Sequence, residues 1–133
     1  MPRTNVLAPK IRELLAERTF VHLATTMADG GPQVSPVWVE TAGDTIVVNS
    51  AVGRLKDRNI RRDPRVALSA VHPSDPYQAV MIRGRVIDIT EEGGEEGIDR
   101  LARKYLGTER YEWRRPGEVR VVYTIQPDFV ATL

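Results

Sequence analysis

Residues 20–41 read FVHLATTMADGGPQVSPVWVET, and this stretch decides the fold. FVHLATT (20–26) is rich in β-branched and aromatic residues that suit a pleated surface. Asp29-Gly30-Gly31 is a turn signal, and QVSPVWVET (33–41) follows with apolar alternation at Val37 and Val39. Two such arms around a glycine turn read as a β-hairpin. Pro36 lies inside the second arm and cannot donate to a ladder, so it marks an edge, a bulge or a place where a ligand meets the backbone.

Working outward, TIVVN (45–49) is a third strand after the turn at Gly43-Asp44, and residues 65–71 form a fourth. AVMIRGRVIDI (79–89) is a long fifth strand interrupted by Gly84, and VRVVYTIQ (119–126) is a sixth. Residues 72–76 read as a loop with two prolines. Ile11, Leu14 and Leu15 have helical spacing over 9–17, with Pro9 suited to the first turn. A short helix over 54–62 stops at Asp63-Pro64. A longer one over 95–106 carries Ile98, Leu101, Ala102 and Tyr105 on one face and ends at Gly107. An aromatic, charged loop spans 108–117. The expectation is an α+β chain, mainly antiparallel β: one domain, residues 1–133, built on a six-stranded barrel with flanking helices. Closure into a barrel removes the open edges that short strands would otherwise expose.

The 133 residues allow one core, and a net charge of +1 supplies no global field for nucleic acid. The absence of cysteine excludes disulfides, thiolate metal sites and a cysteine nucleophile. Charges interrupt the N-terminal stretch every few residues, and no run approaches the roughly 20 apolar residues of a membrane span. The expected location is the cytoplasm, with no nucleic-acid or membrane partner.

NSAVGRLKDRNIRRDPR (49–65) is the most informative segment for function. Taken alone, a basic helix is a solvated face. Helical geometry divides it: Leu55, Lys56, Asn59 and Ile60 fall on one side, Arg58, Arg61 and Arg62 on the other. Lys56 and Asn59 beside apolar residues need partners. Arg54 and Lys56 occupy the first turn, preceded by Ser50 and Gly53, an arrangement suited to phosphate. Arg54 and Lys56 are therefore expected to be ligand groups, and the other arginines solvent or interface charges.

These motifs resemble the pyridoxamine 5′-phosphate oxidase-like split-barrel superfamily, and within it the F420 (deazaflavin)-dependent oxidoreductases. The resemblance rests on the hairpin from Leu23 to Val39, the basic segment, DPYQAVMIRGRV (75–86), IDRLARKYLG (98–107) and RVVYTIQP (120–127), and it covers nearly the whole chain. It implies a split β-barrel homodimer with a cofactor at the subunit interface. By position, Arg54 and Lys56 would hold the cofactor phosphate, supported by Asn49, Ser50 and Asn59. Ser35, Pro36, Val37 and Trp38 would line the ring, although Trp38 reads equally as a core aromatic. The cofactor implied is coenzyme F420, with FMN as the alternative. A basic rim of Arg58, Arg61, Arg62, Arg110, Arg114 and Arg115 would suit the carboxylate tail of F420. Pyridoxamine phosphate oxidases proper carry a basic substrate motif near their C-terminus, whereas this chain closes with PDFVATL. Pyridoxal phosphate synthesis is accordingly not expected.

The remaining chemistry is sparse. His22 and His72 stand without a carboxylate at metal-ligand spacing, and no serine sits in a G-x-S-x-G elbow. Phosphate-loop glycine motifs are absent. Tyr77 could face a ring or pack on the barrel; Tyr105 suits the core; Trp113 could cap a pocket or stack with its neighbouring arginines. With no general acid or nucleophile evident, catalytic residues stay unassigned. This suits hydride transfer to an electron-poor small molecule, where a cofactor carries the chemistry. A cofactor carrier without turnover is the alternative from another class.

Overall fold

The structure is a computed structural model that describes residues 6–133. Residues 1–5, part of the N-terminal stretch read above, lie outside the described residues. The order is α1 (Pro9–Ala16), β1 (Val21–Thr26), β2 (Pro32–Val37), β3 (Val39–Ala42), β4 (Thr45–Ala51), α2 (Leu55–Arg62), β5 (Arg65–His72), β6 (Asp75–Thr90), α3 (Gly94–Leu106) and β7 (Arg120–Thr132).

The strands form one antiparallel sheet of seven, ordered β2-β1-β5-β6-β7-β4-β3. The two edge strands, β2 and β3, are consecutive in the chain and separated only by Trp38. The backbone therefore crosses from one edge of the sheet to the other without a ladder between them, which is a split barrel. This corrects the strand count: the arm read as one strand over 33–41 breaks at Trp38 into β2 and β3. Pro36 pairs with His22 near the end of β2, where a missing N–H is tolerated.

Alternation builds the core. Val21 and Leu23 of β1, Ile46 and Val48 of β4, Leu68 of β5, Val80 and Ile82 of β6, and Tyr123 and Ile125 of β7 are all buried. Leu7, Ile11, Leu14 and Leu15 of the α1 region join them. Each fully buried aliphatic side chain contributes on the order of 1.5–3 kcal/mol. A smaller cluster forms where Ile98, Leu101 and Tyr105 of α3 meet Trp38 and Tyr111.

Two strands exceed their expected lengths. β6 begins at Asp75, so the stretch read as a loop is mostly a tight hairpin, and β7 continues through Pro127 to Thr132. A register shift beside Gly84 accommodates the proline. A Cβ at Gly84 would lie 2.3 Å from the Gln126 carbonyl oxygen, so the close approach of β6 and β7 requires glycine here.

The face of α2 also differs from its helical-wheel reading. Asp57, Asn59 and Ile60 are buried, while Leu55 is 39% exposed. Asp57 turns inward along with Asn59, because it has partners there. Its carboxylate accepts the Tyr123 hydroxyl at 2.7 Å, the Gly53 N–H at 2.9 Å and Arg61 Nε at 3.1 Å. The Tyr123 bond, with the Ile60 side chain, pins α2 to the barrel, while the other two are local to the helix and its entry turn.

Candidate functional site

A cleft of about 260 Å³ opens where β2, β4, α2, α3 and β7 converge with the loop over 107–119. One wall is basic. Arg54 occupies the N-cap position of α2, Lys56 lies in its first turn, and Arg120 is the first residue of β7. Asn49 of β4 also lines the cleft and ties Arg120 to the start of α3. Its Oδ1 accepts Arg120 Nε at 2.9 Å, and its Nδ2 donates to the Gly94 carbonyl at 2.9 Å. Gly94 permits this closeness: a Cβ there would lie 2.9 Å from both Cβ and the carbonyl oxygen of Arg120.

The electrostatics of this wall are unbalanced. The Arg120 side chain is only 3% exposed and pairs with Glu118, itself 8% exposed. Arg54 Nη2 reaches the same Glu118 oxygen at 3.2 Å. One carboxylate thus serves two guanidiniums, and the Lys56 ammonium has no carboxylate partner among the described residues. Burial, with Arg54 and Arg120 nearby, lowers the Lys56 pKa. Burial opposes ionisation of Glu118, but the Arg115 amide, Arg120 and Arg54 outweigh it and hold the carboxyl below its ordinary value.

The other wall is aromatic. Trp38 stacks on Tyr105 at 5.3 Å between centroids with the rings 6° apart. Tyr111 meets Trp38 edge-on at 6.1 Å, and Trp113 leans against both. Phe20 and Ile98 extend this apolar surface. The Tyr105 hydroxyl donates to the Thr19 carbonyl at 2.8 Å and accepts the Val39 N–H at 3.2 Å, which fixes the stack under the strand break. The loop is clasped to α3 by Arg114, which pairs with Glu95 and Asp99. Trp113 remains 61% exposed at the mouth.

Of the residues singled out from the sequence, Pro36, Val37, Trp38, Asn49, Arg54 and Lys56 line this cleft. Ser35, Ser50 and Asn59 do not line it. Ser35 faces the barrel interior opposite Leu23. Ser50 is buried against the Tyr123 phenol. Asn59 is spent on structure: its amide donates to Thr25 Oγ1 at 3.0 Å and its oxygen accepts Arg62 at 2.9 Å. Of the expected rim, Arg61, Arg62 and Arg114 are engaged with Asp57, Asn59 and the α3 carboxylates. Arg58, Arg110 and Arg115 are exposed and make no salt bridge among the described residues. Tyr77 is exposed near the start of β6 and does not line this cleft. His72 Nδ1 accepts the Ser74 N–H in the hairpin turn.

Sequence reasoning missed Arg120 and Glu118. The available signal was the E-V-R triplet at 118–120: in extended chain, residues two apart share a face, so the pair was legible as a same-side ion pair entering a strand. Among the described residues no three metal-ligating side chains converge, and no helix is long and apolar enough to cross a membrane.

A second concavity, about 370 Å³, lies on the outer face of β1, β2, β5, β6 and β7. Its lining is mostly apolar, including Val34, Met81 and Phe129, with Arg83 stacked over the Phe129 ring at 4.4 Å. His22 lines it and is the cross-strand partner of Pro36, so this face adjoins the cleft.

Comparison with known proteins agrees with this architecture. A solved structure of an F420 reductase is similar at 30% identity with a TM-score of 0.80, covering 90% of this chain and 94% of that one. A conserved hypothetical protein from Mycobacterium tuberculosis is 22% identical with a TM-score of 0.72, over 98% of this chain and 87% of that one. A candidate pyridoxamine 5′-phosphate oxidase from Lactobacillus delbrueckii is 24% identical with a TM-score of 0.70, over 99% of this chain and all of that one. The last two share the fold. No curated protein matches the chain. The sequence pattern of the pyridoxamine 5′-phosphate oxidase family matches residues 7–131, nearly the whole split barrel, and the chain belongs to that family.

Proposed function

We propose that this chain is one subunit of a homodimeric oxidoreductase that holds coenzyme F420 in the cleft and reduces an electron-poor small molecule. The observation that carries the reading is the division of the cleft into a wall with three cations against one carboxylate and a wall of stacked aromatics. A cofactor with an anionic end and a flat ring fits that donor set. Arg54, Lys56 and Arg120 would hold the phosphate, and Asn49 keeps Arg120 in place. Pro36, Val37 and Trp38 would line the ring. When bound, a deazaflavin supplies a hydride for a two-electron reduction. The protein contributes orientation and exclusion of water through its aromatic wall.

The likeness to an F420 reductase over most of both chains favours F420. The exposed Arg58, Arg110 and Arg115 suit its carboxylate tail. FMN shares the ring and phosphate but lacks the tail. Two features support a dimer. The cleft volume lies below the ~300–1,000 Å³ usual for a complete small-molecule site. The apolar outer face beside it also offers a surface for a second copy.

Fluorescence titration of F420 and FMN at low and high salt tests the assignment. F420 should bind more tightly, and its advantage should shrink as salt screens the tail, with a Debye length of about 10 Å at 0.1 M. FMN binding at least as tightly under both conditions would transfer the assignment to a flavin oxidoreductase. Binding without turnover of any electron-poor acceptor would favour a carrier.

A further inference from the structure

Glu118 occupies an unusual position for a carboxylate beside a basic cleft. One of its oxygens is shared by Arg54 and Arg120, and the other accepts the Arg115 N–H at 3.0 Å. The carboxylate is nearly buried, and so is Arg120. Arg54 is half-exposed at the N-cap of α2. The backbone beside it is held as well, because Val52 N–H donates to the Val119 carbonyl at 2.9 Å. Glu118 therefore aims both guanidiniums while cancelling one of the three positive charges they make with Lys56.

We infer that Glu118 is a built-in counter-ion and positioning residue that sets the charge this cleft accepts, two negative charges at its basic end, and restrains its affinity for them. The inference rests on the reading of the cleft as an anion site and adds the group that tunes it. An arriving anion and Glu118 compete for Arg54. Removing the Glu118 charge should then tighten anion binding while destabilising the empty protein, because Arg120 stays buried without a counter-charge. A residue that only held the fold would lower both.

The probe is inorganic phosphate, read as the shift of the melting temperature at constant ionic strength against chloride. Glu118→Gln should melt lower than wild type in chloride and bind phosphate roughly 5- to 10-fold more tightly, the scale of one nearby charge in a partly screened site. Glu118→Asp, which keeps the charge, should stay within about twofold of wild type on that same scale. A second pair keeps the test independent of how well the single variant folds. Arg54→Gln should weaken phosphate binding, and adding Glu118→Gln to it should restore affinity toward the wild-type value, because the net local charge is then the same.

Phosphate affinity that is unchanged or weaker in Glu118→Gln, or no recovery in the double variant, overturns the inference. So does an equal response to chloride. Failure of F420 and FMN to bind while phosphate behaves as described would instead overturn the cofactor assignment and leave the role of Glu118 standing.

Discussion

Replacing Asp57 by alanine should destabilise the protein by about 2–4 kcal/mol. The figure follows from its three partners. The Tyr123 hydroxyl is fully buried and donates to Asp57 at 2.7 Å. Leaving that donor without its acceptor costs about 1–3 kcal/mol. The Gly53 N–H donates to the carboxylate from an exposed turn and adds about 0.5–1 kcal/mol. The Arg61 pair is half-exposed and four residues along the helix, so it adds only about 0.3–0.5 kcal/mol. Urea denaturation of both proteins at pH 7 measures the difference.

The origin of the loss can be isolated. Tyr123→Phe should cost about 1 kcal/mol, and the double variant no more than Asp57→Ala alone, because the orphaned hydroxyl is gone. Additive losses, or a loss under 1 kcal/mol for Asp57→Ala, would refute the view that this buried carboxylate anchors α2. The pH dependence has a definite sign. Burial opposes ionisation, but the Gly53, Tyr123 and Arg61 contacts prevail and lower the Asp57 pKa. The unfolded chain takes up its proton first on acidification. The contribution is therefore complete above the ordinary carboxylate range and is lost as pH falls through the folded value.

Other outcomes follow from the same geometry. Arg54→Ala or Lys56→Ala should weaken cofactor binding at least tenfold in a fluorescence titration, and Arg62→Ala, whose partner is Asn59, should barely change it; equal losses at all three would show that the cations are misassigned. Gly84→Ala should cost about 1–3 kcal/mol in urea, since its Cβ would meet backbone rather than a movable side chain; a neutral result would mean that β6 and β7 can part. Lys104 donates to the carbonyls of Leu15 and Val39, each at 2.6 Å, and burial lowers its pKa to about 8 despite Glu40 and Glu17. The folded state sheds that proton before the unfolded chain does, so stability should rise with pH above about 8, and Lys104→Met should flatten the rise between pH 8 and 10.

Most of the fold was legible because its signals are local. The glycine turns, the alternating strands and the Gly107 helix stop each act within a few residues, and the elements fall close to where these signals place them. What failed to show was decided by distant partners. The arm over 33–41 is interrupted in composition only at Pro36, which still pairs with His22, yet it splits two residues later at Trp38, whose side chain stacks on Tyr105, far along the chain. β7 runs through Pro127 because Gly84 on the neighbouring strand makes room for it. α2 turns Asp57 inward because Tyr123 waits inside the barrel. A helical wheel counts apolar side chains and cannot see that partner.

The same distinction governs the site. Arg54 and Lys56 could be singled out because their segment is contiguous and its first turn is exposed by geometry. Arg120 and Glu118 lie in another part of the chain and reach the cleft only because β4 and β7 pair antiparallel, setting Ala51 opposite Arg120. Trp38 joins the two halves. The strand break that closes the barrel also turns this ring toward Tyr111 and Trp113 in the cleft. Had residues 33–41 run straight, the strand would have ended on one edge of the sheet, with no residue placed to bridge the basic wall and the aromatic loop. The device that closes this sheet without hydrogen bonds between its edges is thus the one that builds the cleft. A substitution that restored regular pairing through Trp38 should remove the site before it unfolds the barrel.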